Sequence, residues 1–329
     1  MLGFRWKDAS STVYSKRRAY ITNVIRQMLF SIPHYYGELA ELRTAHDFVS
    51  WAYFKWPFFS PLAAFPPHVG VEVTNACNFA CRHCWRSKMD RRIGFIDVEL
   101  FSQILAEVSQ YKSITLKIGG GGEVALHPRF RDLMAALTRF QSIRVFVYTN
   151  GSLLRRFSHR EILEWNINTL VVSVDGTDPS SYNYIRLGGN YSLLRKQVEG
   201  LYALRNSLTQ KVPKIEIRHV IMPYETTGQL VDVRKSWLRT ADTVKFNYLI
   251  PLEKSRNIQR RSSLCRETMR EFDIEWDGRV RLCRFYPEYF GDLHSSTIEA
   301  IWHSPKWNFV RDCQKHGDLD QIPACIGCL

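Results

Sequence analysis

From His68 to about Asn247, short apolar runs alternate with longer stretches of helical period. The runs predict strands at 70–73, 113–118, 144–148, 169–174, 214–221 and 243–247. The stretches between them predict helices at 97–110, 129–139, 161–166, 193–207 and 228–237. Six strand–helix units in series imply a parallel sheet with right-handed crossovers, either open or curled. Upstream, Val13, Arg17, Tyr20, Ile21, Val24, Ile25, Met28 and Leu29 follow a helical period that Pro33 ends. A second helical stripe uses Leu39, Leu42, Phe48, Val49, Ala52, Tyr53 and Trp56. Downstream, 272–283 reads as a hairpin with Asp277-Gly278 at its turn, and 298–302 reads as a helix.

Composition narrows the class without choosing the chemistry. With 45% hydrophobic and 13% aromatic residues, the chain is globular, not disordered. A formal net charge of +13 over 329 residues points to an anionic partner: a phosphorylated small molecule, nucleic acid or an acidic membrane surface. The N-terminal helices could lie on such a surface or pack on the main domain. Residues 1–11 lack the apolar core of a cleavable signal. The most apolar segment, 48–65, is broken by Lys55, Pro57 and Pro61 and does not read as a membrane span. A cytoplasmic location is expected.

The cysteines carry the chemistry. Cys77, Cys81 and Cys84 fall at C-x3-C-x2-C spacing directly after the first strand. Crowding of this kind favours metal ligation in a reducing compartment over disulfides. Three thiolates from one loop can hold three irons of a cubane and leave the fourth open to a ligand. Structural zinc is the competing reading, but it wants four closed ligands, and His83 sits too near Cys81 and Cys84 to complete a good tetrahedron. A second set, Cys265, Cys283, Cys325 and Cys328, surrounds the hairpin as C-x17-C…C-x2-C and could hold zinc on spacing alone.

The first spacing resembles that of the radical S-adenosylmethionine (SAM) enzymes, with His83 where that family usually has an aromatic residue. The resemblance extends to Gly121-Gly122-Glu123, similar to the family's GGE motif, with Val124 where proline often follows. It continues through Asn150 after the third strand, Ser173 at the end of the fourth, and Arg186. It implies a partial (β/α)6 TIM-like barrel with the site at the carboxyl ends of the strands. It also implies an open [4Fe–4S] cluster on Cys77, Cys81 and Cys84, and SAM bound through His83, Gly121, Gly122, Glu123, Asn150, Ser173 and Arg186. Reductive cleavage of SAM to a 5′-deoxyadenosyl radical would follow, driven by a flavodoxin- or ferredoxin-type donor. The C-terminal stretch, with Gly291-Asp292-Leu293 and Cys325–Cys328, resembles the SPASM/twitch extension in its one-cluster form. That makes Cys265, Cys283, Cys325 and Cys328 ligands of one auxiliary [4Fe–4S] cluster.

The expected organisation is therefore a helical extension over 1–66, a radical SAM partial barrel over 67–250, and a small hairpin-and-helix cluster domain over 251–329. The favoured activity is oxidation (dehydrogenation) of a carbohydrate-like or other small metabolite, with an anionic substrate suggested by charge. Epimerisation and peptide modification are the alternatives within the family. Peptides are less favoured, because the residues before Pro67 show helices without the strands of a winged-helix leader-binding domain. A zinc-containing nucleic-acid-binding protein is the alternative of another class and is disfavoured. Cys313 lies outside both ligand sets and reads as a buried apolar residue, or else as a hydrogen-atom donor in an epimerase.

Overall fold

In a computed structural model of the chain, the described residues are 63–249, 265–283, 286, 288–316, 318–322 and 325. The expected N-terminal helices, the basic stretch 254–261 and Cys328 lie outside them. Six parallel strands follow one another: β1 (His68–Val71), β2 (Thr115–Ile118), β3 (Arg144–Thr149), β4 (Thr169–Ser173), β5 (Lys214–Ile221) and β6 (Thr243–Tyr248). They pair in chain order. A doubly wound sheet would reverse its order at a switch point. Sequential pairing through crossovers of one hand keeps the helices on one face, and the sheet curls around the other. The result is a partial (β/α)6 barrel whose β6 edge does not close onto β1.

The connecting helices are α1 (Val98–Val108), α2 (Phe130–Leu137), α3 (Leu153–Arg156), α4 (His159–Glu164), α5 (Pro179–Ile185), α6 (Tyr191–Ser207) and α7 (Thr227–Trp237). Asp97 starts α1 by accepting from the Glu99 amide at 2.8 Å. Beneath the helices, Val69, Val71, Leu116, Ile118, Val145, Val147, Leu170, Val172, Ile215 and Ile217 are all fully buried. Each such side chain contributes roughly 1.5–3 kcal/mol. Side chains alternate along a strand, so the other face carries Lys117, Tyr148, Ser173, Glu216, Arg218 and Lys245. Several expected limits shift in detail. β1 lies two residues earlier than 70–73, because beyond Val71 the extended chain changes partners: Glu72 donates to Ile274 O and Val73 accepts from Ile96. α3 and α5 were not expected at all.

The C-terminal segment joins the same sheet. α8 (Arg266–Arg270) leads into β7 (Glu271–Ile274), which pairs parallel with β1 from His68↔Glu271 to Val71↔Ile274. β8 (Arg279–Arg281) returns antiparallel, as the hairpin pattern predicts, with Gly278 at φ +83° in the turn. β9 (Tyr289–Asp292), α9 (Ile298–Trp302) and α10 (Pro305–His316) complete the segment. Trp302 and Trp307 are fully buried around Arg311, whose guanidinium lies 3.9 Å from the Trp302 ring centre and donates to the carbonyls of Thr268 and Trp302. Burial pulls Arg311 down to about 10. Among the described residues, no helix is long and apolar enough to cross a membrane.

Candidate cofactor site

The three N-terminal cysteines follow β1 at its carboxyl end. Their loop is pinned on both sides: Ala80 N donates to Leu187 O and Arg82 N to Ile185 O, both at 2.9 Å, while Glu123 N donates to Ala76 O at 2.8 Å. Cys77, Cys81 and Cys84 are half-buried and free of disulfides. Asn150 Nδ2 lies 3.8 Å from Cys77 Sγ, and Arg186 Nη1 lies 4.0 Å from Cys81 Sγ. Burial pushes the Cys81 thiol up to about 11, with the Arg186 charge opposing it. Burial also raises Cys77.

The expected cofactor residues gather around this loop. His83 Nε2 is 3.2 Å from Asp175 Oδ2, and Arg186 Nη2 is 2.6 Å from the same oxygen. Asp175 is fully buried, and its other oxygen accepts from Val220 N at 2.8 Å. It therefore ties the cysteine loop, the end of α5 and β5 to one carboxylate. Ser173 stands two residues before it, in register with Arg218. Glu123, 1% exposed, accepts from Thr149 Oγ1 and Asn150 N, both at 2.7 Å, and from Ala125 N at 3.3 Å. Burial raises the Glu123 carboxyl against those three donors. Its carboxylate thus joins the glycine loop to the Asn150 loop, while Gly122 lies against the backbone of Thr74, Asn75 and Ala76 just before the first cysteine.

The donor set fits the cofactors that the resemblance implies. Three reduced thiols on one loop suit three different irons. Among the described residues, no three His, Cys, Asp or Glu side chains are gathered around one point as a single metal ion requires. His83 Nδ1 and Arg186 Nε are buried without a hydrogen-bond partner beside those thiols. A guanidinium with an unused donor suits a carboxylate such as that of SAM.

Close backbone approach explains Gly122. A Cβ there would lie 2.3 Å from Ala76 O and 2.6 Å from Thr74 O, both backbone atoms of the cysteine loop. Gly122→Ala should displace that loop, lowering stability by about 1–3 kcal/mol and reducing the iron retained by the N-terminal site. Thermal melting and iron analysis of the reconstituted variant check this; wild-type values for both would show that the loop yields freely.

The auxiliary set converges separately. Cys265 N donates to Gln314 Oε1 at 3.1 Å, and Gln314 Nε2 lies 3.9 Å from Cys325 Sγ. Tyr286 is raised chiefly by burial and also by the nearby charges of Glu288, Cys325, Cys283 and Cys313. Of the expected ligands, the described Cys265, Cys283 and Cys325 therefore share one neighbourhood beside α10 and the end of β8. Cys313 is 5% exposed and packs into the core, as its apolar reading expects.

Two groups escape sequence reasoning. One is Asp175 as the shared carboxylate. The other is a chain of charges from Glu72 to the hairpin: Arg91 Nη1 lies 2.9 Å from Glu72 Oε1 and 2.8 Å from Glu275 Oε2. Arg281 and Tyr289 complete the shell of Glu275, and Gly121 N donates to Glu72 Oε2 at 2.9 Å. The only local signal is that Glu72 and Glu275 each interrupt a strand-like run.

Comparison with known proteins agrees with this geometry. The family model described as "Radical SAM superfamily" matches residues 71–236, and that of an iron–sulfur cluster-binding domain, SPASM, matches 265–329. The chain is 24% identical over 311 residues to the tungsten-containing aldehyde ferredoxin oxidoreductase cofactor-modifying protein of Pyrococcus furiosus, covering 78% of this chain and 86% of that one. Its fold is similar to that of Streptococcus suis SuiB bound to precursor peptide SuiA, with TM-score 0.62, 13% identity and 91% and 79% coverage. It is also similar to that of BtrN in complex with AdoMet and 2-DOIA, with TM-score 0.52, 18% identity and 79% and 91% coverage. With just over half of its residues matched by the first model, the chain belongs to the radical SAM superfamily, carries a C-terminal SPASM domain, and has SAM and [4Fe–4S] clusters as its cofactors.

Proposed function

We propose that this radical SAM enzyme removes hydrogen from a carbon of a small, carbohydrate-like metabolite and completes a two-electron oxidation. The observation that carries this reading is the in-register pairing of β7 with β1. It joins the segment flanked by Cys265 and Cys283 to the same sheet that ends in the cofactor loop, which supports an electron outlet held in place relative to the reaction site. When bound, SAM and the N-terminal cluster supply the hydrogen-abstracting radical, given an electron from a flavodoxin- or ferredoxin-type donor. Cys77, Cys81 and Cys84 would hold that cluster, and Cys265, Cys283, Cys325 and Cys328 the auxiliary one. Arg186 would take the SAM carboxylate, and the backbone of Gly121 and Gly122 its amino group. Ser173 and Asn150 would flank it. The substrate would lie against the polar inner face, and its oxidation would remove two hydrogens in all, for which the auxiliary cluster would supply the electron outlet. The likeness in fold to BtrN with 2-DOIA supports a small-molecule substrate.

Peptide modification is the second reading. It is favoured by the likeness to SuiB with its precursor peptide and by exposed Tyr184, Leu187 and Tyr224 beyond the strand ends. Anaerobic incubation with SAM, a reductant, and metabolite or peptide fractions separates the two. The expected result is 5′-deoxyadenosine released in step with a small product poorer by two hydrogens. Release dependent on peptide fractions alone would overturn the small-metabolite reading.

A further inference from the structure

We propose that Arg218 and Lys245 form a subsite for an oxyanion of the substrate, a phosphate or a carboxylate. This rests on the reading that the inner face of the barrel receives the substrate. The two residues are register partners on β5 and β6, and Arg218 is also the partner of Ser173 on β4. Register partners point to the same face, so Ser173, Arg218 and Lys245 form one row across three strands. That row lies two residues below Asp175 and Val220, directly under the cofactor loop.

Among the described residues, the charges in this row do not balance. Arg218 Nη2 donates to Glu216 Oε1, and Lys245 Nζ lies 3.0 Å from Glu216 Oε2. One carboxylate thus serves two cations. Burial opposes its charge, yet Arg218 and Lys245 together hold the Glu216 carboxyl below its ordinary value. Arg218 lies 5.5 Å from the centre of the Tyr148 ring, which braces the guanidinium. Its Nε is buried without a hydrogen-bond partner. The Arg218 and Lys245 side chains keep 23% and 38% of their surface exposed, so the pair is accessible. A planar guanidinium with one unused donor, beside a partly exposed ammonium, suits a phosphate or carboxylate oxygen. A strand face that only packed against neighbours would not hold a surplus positive charge there.

The test uses the reconstituted holoprotein with SAM bound and two probes, inorganic phosphate and acetate, followed by equilibrium dialysis. Saturable binding of one probe per chain is expected, and the preferred probe distinguishes a phosphorylated from a carboxylate substrate. Arg218→Gln and Lys245→Gln should each weaken it at least about tenfold, the loss of one charge-assisted hydrogen bond. Arg218→Lys should recover part of the loss. Glu216→Gln, which frees both cations at nearly constant shape, should tighten binding by roughly tenfold on the same scale. Iron content and melting temperature confirm that each variant is folded. No binding of either probe to wild type, or binding indifferent to Arg218→Gln, would overturn the subsite. Weaker binding in Glu216→Gln with the fold intact would do the same. A failure of the underlying reading looks different: the probes bind and respond to the variants, yet saturating probe leaves substrate-dependent 5′-deoxyadenosine release unchanged.

Discussion

Replacing Cys77, Cys81 and Cys84 together by Ala should abolish reductive cleavage of SAM while leaving the C-terminal cluster in place. Iron per reconstituted chain should fall from about eight to about four, the content of one cubane. The two sets occupy different surroundings: the N-terminal cysteines lie on the loop between β1 and α1, whereas Cys265 and Cys325 meet at Gln314, and Cys283 and Cys325 lie near Tyr286. Anaerobic iron analysis and assay of 5′-deoxyadenosine check both halves. Residual cleavage in the triple variant would remove the catalytic assignment from these thiols. Loss of all iron would show that the second site depends on the first.

Asp175→Asn should be the most damaging single substitution near the cofactor. The carboxylate is fully buried and faces the Arg186 guanidinium at 2.6 Å, and Arg186 is itself only 7% exposed. Removing one partner of a buried pair leaves a charge with no compensation and costs about 3–5 kcal/mol. Asn keeps an acceptor for Val220 N, so the loss is electrostatic rather than one of shape. Melting temperature should fall by roughly 10 °C for a domain of this size. SAM should restore part of that loss, since its carboxylate would give Arg186 a new partner. Denaturation of the reconstituted variant with and without SAM tests both effects. Equal loss in the two conditions would separate Arg186 from the SAM carboxylate.

Much of the barrel is legible in the sequence because its strands bury one apolar face and its helices follow in strict alternation. β5 is found at its observed limits, since Ile215 and Ile217 alternate with Lys214, Glu216 and Arg218 and an apolar Val220-Ile221 pair ends the run. α5 is missed because Ser-Ser-Tyr-Asn-Tyr is a poor helix former. Its signal is at its start, where Asp178 and Ser181 form a capping box and Pro179 occupies the first turn. The pairing of β7 with β1 is not legible, for no local pattern states that residue 271 will meet residue 68. The role of Asp175 comes from its three partners, His83, Arg186 and Val220, which lie far apart in the sequence. Glu123 reads as a cofactor contact through its motif, yet its carboxylate is occupied by Thr149, Asn150 and Ala125. The charged inner face did leave a trace. Parallel strands covered on both sides read as unbroken apolar runs, whereas β5 and β6 alternate.

That alternation separates two kinds of selection along one strand. Ile217 and Val244 sit beneath the helices with their stability fixed by packing, while their neighbours Arg218 and Lys245 face the interior without belonging to the hydrophobic core. On the proposed reading, a lineage can rewrite what the enzyme recognises by changing the inward-facing residues of β5 and β6. The intervening residues keep the scaffold standing as it does so, and new chemistry can be explored without first accumulating compensating changes in the core.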